Sequence, residues 1–170
     1  MTRRSAIAVL AAGSVLPSCR SQRPEPPLLQ EEQLFPGLSE LQVADPKAQP
    51  QLLLGWHGIE EASWRWTRKR FAAALQVPSR PATVELNYYV SEASLTTLGA
   101  ITLTATVNRL RLPTQTCRAA GEQIYKQMVP ASALKRDVAV VWFEVDKAIS
   151  PGGRESRELG VVVSSVRLRE

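Results

Sequence analysis

The chain has 170 residues, with 21 Lys and Arg against 16 Asp and Glu, a single His and two Cys. That length allows one domain of ordinary size after any signal and linker. The cysteine count excludes a disulfide-dense scaffold, and a zinc site of three or four His and Cys ligands cannot be assembled from one histidine and a spare thiol. The formal charge of +5 is mild, and its bases are scattered, the densest cluster being Arg68-Lys69-Arg70. Nucleic-acid binders carry a stronger basic stripe, so these charges read as a solvated face and no nucleic acid is expected as partner.

Met1-Thr2-Arg3-Arg4 opens the chain with cations, and Ser5 to Leu16 follows without a charge. Leu16-Pro17-Ser18-Cys19 closes the segment with small residues before a thiol. Basic, apolar and small-residue parts in that order make a cleavable secretory signal. The cysteine at the cleavage point makes residues 1–18 resemble a bacterial lipoprotein signal. The resemblance implies that Cys19 receives a lipid and becomes the first residue of the mature chain. Localisation would then be the cell envelope, with the lipid as membrane anchor. A stretch of about a dozen apolar residues is too short to span a bilayer comfortably.

Residues 19–50 hold six of the twelve prolines, much Gln and Glu, and Phe35 as the one aromatic. Such a composition buries too little surface to offset ordering entropy and reads as a tether. Leu34, Leu38 and Leu41 recur at helical spacing and offer a short helix within Leu28 to Leu41.

From residue 51 the text turns to strands. Gln51 to His57 is a short apolar run, and Trp64-Arg65-Trp66-Thr67 alternates. Ala82 to Val90 places Val84, Leu86 and Tyr88 on one face. Ala100 to Val107 sets Ile101, Leu103, Ala105 and Val107 against threonines. Asn108 to Leu112 reads as a hairpin bend. Asp137 to Val145 and Gly160 to Leu168 continue the pattern, with Trp142 placed in the core. Arg68 to Gln76 and Gly121 to Met128 fit either a helix or a strand. β-Branched and aromatic residues at period two suit half-buried antiparallel strands, and the prolines between them mark turns. The expected fold is all-β, an antiparallel sandwich of jelly-roll or immunoglobulin-like type with about 7–8 strands over residues 51–170. Cys117 is expected as a small buried apolar residue.

Chemistry-bearing motifs are sparse. No Gly-x-Ser-x-Gly elbow, phosphate loop or dinucleotide fingerprint occurs. His57 would carry imidazole chemistry alone and reads as a strand-end or turn residue. Glu60, Glu61, Glu85, Glu92 and Glu144 supply carboxylates, but two must stand roughly 5–10 Å apart to cleave a glycosidic bond. Trp56, Trp64 and Trp66 cluster within eleven residues, interleaved with Glu60, Glu61 and Arg65. A shared strand face for Trp64 and Trp66 is most simply the core. The competing reading makes Trp56, Glu60, Arg65 and Trp66 a ligand-facing rim that stacks on a sugar and hydrogen-bonds it.

Gly55-Trp56-His57-Gly58-Ile59-Glu60 followed by Trp64-Arg65-Trp66-Thr67, with Val107-Asn108, Val129-Pro130 and Leu159-Gly160-Val-Val-Val later, resembles an uncharacterised bacterial envelope β-sandwich lipoprotein family. The resemblance spans residues 54–168. His57 and Arg109 depart from its pattern, which more often has an aromatic and a glycine there. It implies a carbohydrate context and carries no catalytic residue. The functional expectation is a non-catalytic envelope lipoprotein without a cofactor, binding a glycan or an envelope protein. The alternatives are a small hydrolase of envelope polysaccharide and a purely structural lipoprotein.

Overall fold

The computed structural model describes residues 37–170, so the signal, Cys19 and the tether up to residue 36 lie outside the described residues. Ten strands form one curled antiparallel sheet. They are β1 (Glu40–Gln42), β2 (Leu52–Glu60), β3 (Trp64–Gln76), β4 (Ala82–Val90), β5 (Ile101–Val107), β6 (Leu110–Arg111), β7 (Gln115–Cys117), β8 (Gly121–Val129), β9 (Val138–Val145) and β10 (Val162–Arg169). One helix, α1 (Glu92–Leu98), follows β4, its first turn capped by the Ser91 hydroxyl. The expected all-β sandwich is thus the fold. Seven of the strands are long, and the three extra pieces, β1, β6 and β7, have three, two and three residues. Both ambiguous segments are strands, the second halves of β3 and the whole of β8.

β3 makes a sandwich out of a single sheet. Near its start Arg65 and Trp66 pair with Val163 and Val162 of β10. From Arg70 onward the same edge pairs with β9 instead, Arg70 opposite Glu144 through Gln76 opposite Val138. Thr67 marks the parting of the ways: it is fully buried, and its hydroxyl donates to the Val161 carbonyl at 3.1 Å. One layer is therefore β8-β4-β10 with β1 and the start of β3. The other is β2 with the rest of β3, then β9 and β5, with β6 and β7 both on β5.

Period two decides what lies between the layers. Val84, Leu86 and Tyr88 of β4 are buried, as are Ile101, Leu103, Ala105 and Val107 of β5. Phe71 and Phe143 stack at 5.2 Å between ring centres, and Tyr125 of β8 meets Phe143 edge-on at 6.4 Å across the core. Cys117 is buried as expected, with its sulfur 2.9 Å from the Tyr88 hydroxyl. Asn108 and Arg109 form the predicted bend with positive φ of 45° and 80°.

Two expectations are corrected. Trp142 is not core: Phe143 takes the inward position of β9, so its neighbour must face out, 36% exposed, with the Arg70 guanidinium 5.9 Å from its ring centre. The packed domain also starts before residue 51. Leu41, Val43 and Ala48 are fully buried, β1 pairs with β10 from Glu40 opposite Arg167 to Gln42 opposite Ser165, and Pro46–Gln51 form a 3-10 turn. The prolines there shape that turn instead of a tether, and Asp45 caps it through the Lys47 amide at 2.8 Å.

Candidate functional site

The sequence-predicted rim residues do not converge. Alternation along β3 turns Trp64 and Trp66 outward and Arg65 and Thr67 inward. Arg65 is 6% exposed, and each of its three side-chain nitrogens bonds within the protein. Nε donates to the Val43 carbonyl at 2.7 Å, one terminal nitrogen to the His57 carbonyl at 3.1 Å and the other to Gln49 Oε1 at 2.8 Å. Burial draws its pKa downward, and those three acceptors hold the cation in place. Trp56 packs on the core: its indole N–H donates to the Ala72 carbonyl at 2.8 Å and its ring meets Phe71 edge-on at 5.1 Å. Glu60 is tied to Arg157 at 2.7 Å, and Arg157 also grips both oxygens of Glu155 at 3.0 Å. Those bonds to Arg157 hold the Glu155 carboxyl at about 2. His57 lies within β2 and not at a strand end or turn. Its Nε2–H donates to the Glu158 carbonyl at 2.7 Å, since a carbonyl only accepts. The Glu60–Arg157 and His57–Glu158 contacts pin loop 146–161 to β2, and Glu158 Oε1, accepting from the Lys69 amide at 2.6 Å, ties it to β3.

Two of the four line concave surfaces, but separate ones: Trp56 borders a hollow with Leu54, Arg70 and Trp142, and Trp66 belongs to a groove with Trp64 and Tyr89. That groove, of about 630 Å³, runs over the outer face of the β3-β10-β4-β8 layer. Pairing register builds its floor. Trp66 lies opposite Val162, Val162 opposite Tyr89, and Tyr89 opposite Glu122, so one row of side chains crosses four strands. The neighbouring row carries Trp64, Ser164, Asn87 and Ile124 in the lining, with Asn87 directly opposite Ile124. Ser164 falls where the β10–β4 register slips, with Val163 opposite Tyr88 and Ser165 opposite the adjacent Asn87. Trp64 and Trp66 stand edge to face with ring centres 6.4 Å apart. Neither is in the core, because β3 here has Arg65 and Thr67 on its inner side.

The polar groups are placed by the same strands. Asn87 Nδ2 donates to Ser165 Oγ at 2.8 Å, which fixes the amide plane at the groove floor. Ser91 and Gln123 line one end. Beyond the aromatic rows, Glu40, Arg167, Glu85 and Lys126 lie in register across β1, β10, β4 and β8. Their charges alternate: Arg167 is 2.8 Å from Glu40 and 3.1 Å from Glu85, and Lys126 is 3.8 Å from Glu85. Arg167 is flanked by carboxylates on both sides, and Lys126 is the loosely held outer member of the ladder. Opposite-sign cross-strand pairs of this kind also fix the register.

Sequence reasoning missed Tyr89, Asn87, Val162 and Ile124. One signal for Tyr89 was present: with Val84, Leu86 and Tyr88 inward, an aromatic at 89 must point out. No His, Cys, Asp and Glu group among the described residues is arranged to hold a metal ion.

No family model matches this chain, and no curated protein matches it. Among solved structures, it is similar to part of a family GH115 4-O-methyl-α-glucuronidase with specificity for decorated arabinogalactans, at 10% identity and a TM-score of 0.51. That likeness covers 79% of this chain and 18% of the glucuronidase, so the chain spans less than a fifth of that enzyme. It is also similar to a family 35 carbohydrate-binding module from an environmental isolate, at 16% identity and a TM-score of 0.43, covering 82% of this chain and 90% of the module. The likeness to the glucuronidase is one of fold alone, and that to the module is weaker still.

Proposed function

We propose that this chain is an exported, lipid-anchored glycan-binding protein whose site is the groove over β3, β10, β4 and β8. The observation that carries the reading is the row Trp66–Val162–Tyr89–Glu122 beside Trp64, Asn87 and Ser164. Sugars present apolar C–H faces and a rim of hydroxyls. A groove of aromatic faces with amide, hydroxyl and carboxylate groups between them matches both features. Hydrolysis of a glycosidic bond typically needs two carboxyl groups flanking it. Glu122 is the one carboxylate lining the groove among the described residues, which supports binding over cleavage.

The test is affinity electrophoresis and calorimetry of the purified protein against a panel of soluble plant and bacterial polysaccharides. Trp66→Ala and Tyr89→Ala should each weaken binding at least about tenfold, the loss of one stacked aromatic contact, with the fold kept by circular dichroism. Binding unchanged in both variants, or no binding to any polymer, would sink the reading. The lipid anchor is tested apart from it. Cells fed a labelled fatty acid should label the protein, and Cys19→Ala should abolish the label. Full labelling of that variant would remove Cys19 as the acylated residue.

A further inference from the structure

We infer that β8 is a self-association edge, along which two copies of this chain pair antiparallel about a two-fold axis at Ile124. β8 ends its layer. It pairs along its whole length with β4, and among the described residues its other edge pairs with no strand. Natural sheets protect such edges with bulges, prolines, short strands or charged side chains. β8 is nine residues long, contains no proline, and keeps an unbroken register from Ala82 opposite Val129 to Val90 opposite Gly121; its only charges, Glu122 and Lys126, are of opposite sign. It also exposes apolar side chains, with Ile124 at 59% and Met128 at 69%.

The occupant follows from the sequence of the edge itself. A two-fold axis pairs each residue with one equally far on the other side of the axis. Opposed side chains must share a face, so the axis passes through a residue and never between two. Centred on Ile124, the pairing sets Ile124 against its own copy, Glu122 against Lys126 twice over, and Met128 against Ala120. Moving the axis to Tyr125 sets Glu122 against Met128 and Ile124 against Lys126. Moving it to Gln123 sets Glu122 against Ile124 and leaves Lys126 facing Ala120. Only the Ile124 register matches apolar with apolar and charge with opposite charge. Lys126 is free to take part, since its contact with Glu85 is long at 3.8 Å and its side chain is 65% exposed.

The two-fold stands perpendicular to the sheet, so both outer faces stay on the same side. Glu122 and Ile124 also line the groove. The pairing therefore sets two grooves edge to edge on one eight-stranded face, whatever those grooves bind. An interface of one strand pair is small, in the class of weak and transient contacts.

Sedimentation velocity of the full chain over a concentration series up to about 1 mM tests this. A monomer–dimer equilibrium is expected within that range. Glu122→Arg and Lys126→Glu should each weaken it at least about tenfold by setting like charges opposite one another. The double variant Glu122→Arg/Lys126→Glu should recover the wild-type value within about threefold. Both positions are exposed, and a thermal melt of each variant verifies the fold. A chain that stays monomeric throughout overturns the inference. So does a dimer indifferent to the single reversals, or one that the double reversal fails to restore.

Discussion

Arg65 and Trp66 are neighbours with opposite fates, and the pleat is the reason. A strand cannot present both to one ligand, because consecutive side chains leave opposite faces. Arg65 goes inward and becomes a clamp between Val43, Gln49 and His57. Arg65→Met keeps most of the stem but strands the Val43 and His57 carbonyls. It should cost on the order of 2–4 kcal/mol in urea unfolding, and a loss under about 0.5 kcal/mol would mean that the clamp is ornamental. The same logic separates Trp142 from Phe143. Phe143 is fully buried between Phe71 and Tyr125, so Phe143→Ala should remove about 3–5 kcal/mol. Trp142 lies outside under Arg70, so Trp142→Ala should remove only about 1 kcal/mol. Equal losses at the two positions would contradict the facing assigned to β9. Both facings were legible in the sequence once one inward residue was fixed. Apolarity alone misplaced Trp142, because an exposed tryptophan stabilised by a cation looks like a core residue in a hydropathy reading.

At the scale of the element, β2 and β3 carry the irregularity that regular alternation hides. Their register slips three times between Leu52 and Ile59. Gly55 sits in one of those slips with φ of +77°, and a Cβ built there would lie 2.0 Å from the Arg70 carbonyl oxygen. No side chain fits, so Gly55→Ala must push β2 off β3 and lower the melting temperature severely. Gly58, three residues on, has open space around its Cβ position, and Gly58→Ala should leave the melt nearly unchanged. A mild effect at Gly55 would mean that β2 is not held against β3 as described. The long strands β4, β5, β9 and β10 were readable from period two, since each buries one face and leaves the other to solvent. β8 and the second half of β3 were not, for two different reasons. Phe71 to Leu75 is buried on both faces and so loses its alternation. β8 buries only Tyr125 and Val129 and shows too few inward apolar residues to mark a period. The candidate groove was legible only at Trp66, because it is made by register between four strands far apart in sequence.

The whole molecule depends on a core that holds two buried tyrosines, Tyr88 and Tyr125, and on a segment that composition places outside it. Burial pushes the Tyr125 phenol up to about 12, and burial together with the Cys117 contact raises Tyr88 further. An unfolded tyrosine titrates near 10, so above that pH the unfolded chain has released protons that the folded one retains. Stability is then full below pH 10 and falls as pH rises through about 12, which a melting series with tyrosinate absorbance would follow. A flat melting temperature across that window would mean that the two phenols are reachable by solvent. The second dependence lies at residues 38–50. Leu38 accepts from Gln51 Nε2 at 2.9 Å and returns a bond from its own amide to Gln51 Oε1. Leu41 and Val43 fill the core beside β10, and Val43 and Gln49 are two of the three acceptors of Arg65. Burying Leu41 and Val43 contributes about 1.5–3 kcal/mol each. Losing them with the β1 pairing and two of the three Arg65 acceptors takes away an amount comparable to the roughly 5–15 kcal/mol that holds an ordinary domain together. A chain beginning at residue 51 should therefore unfold or melt far below one beginning at residue 37, which retains all the described residues. Equal melting temperatures for the two would return residues 38–50 to the tether.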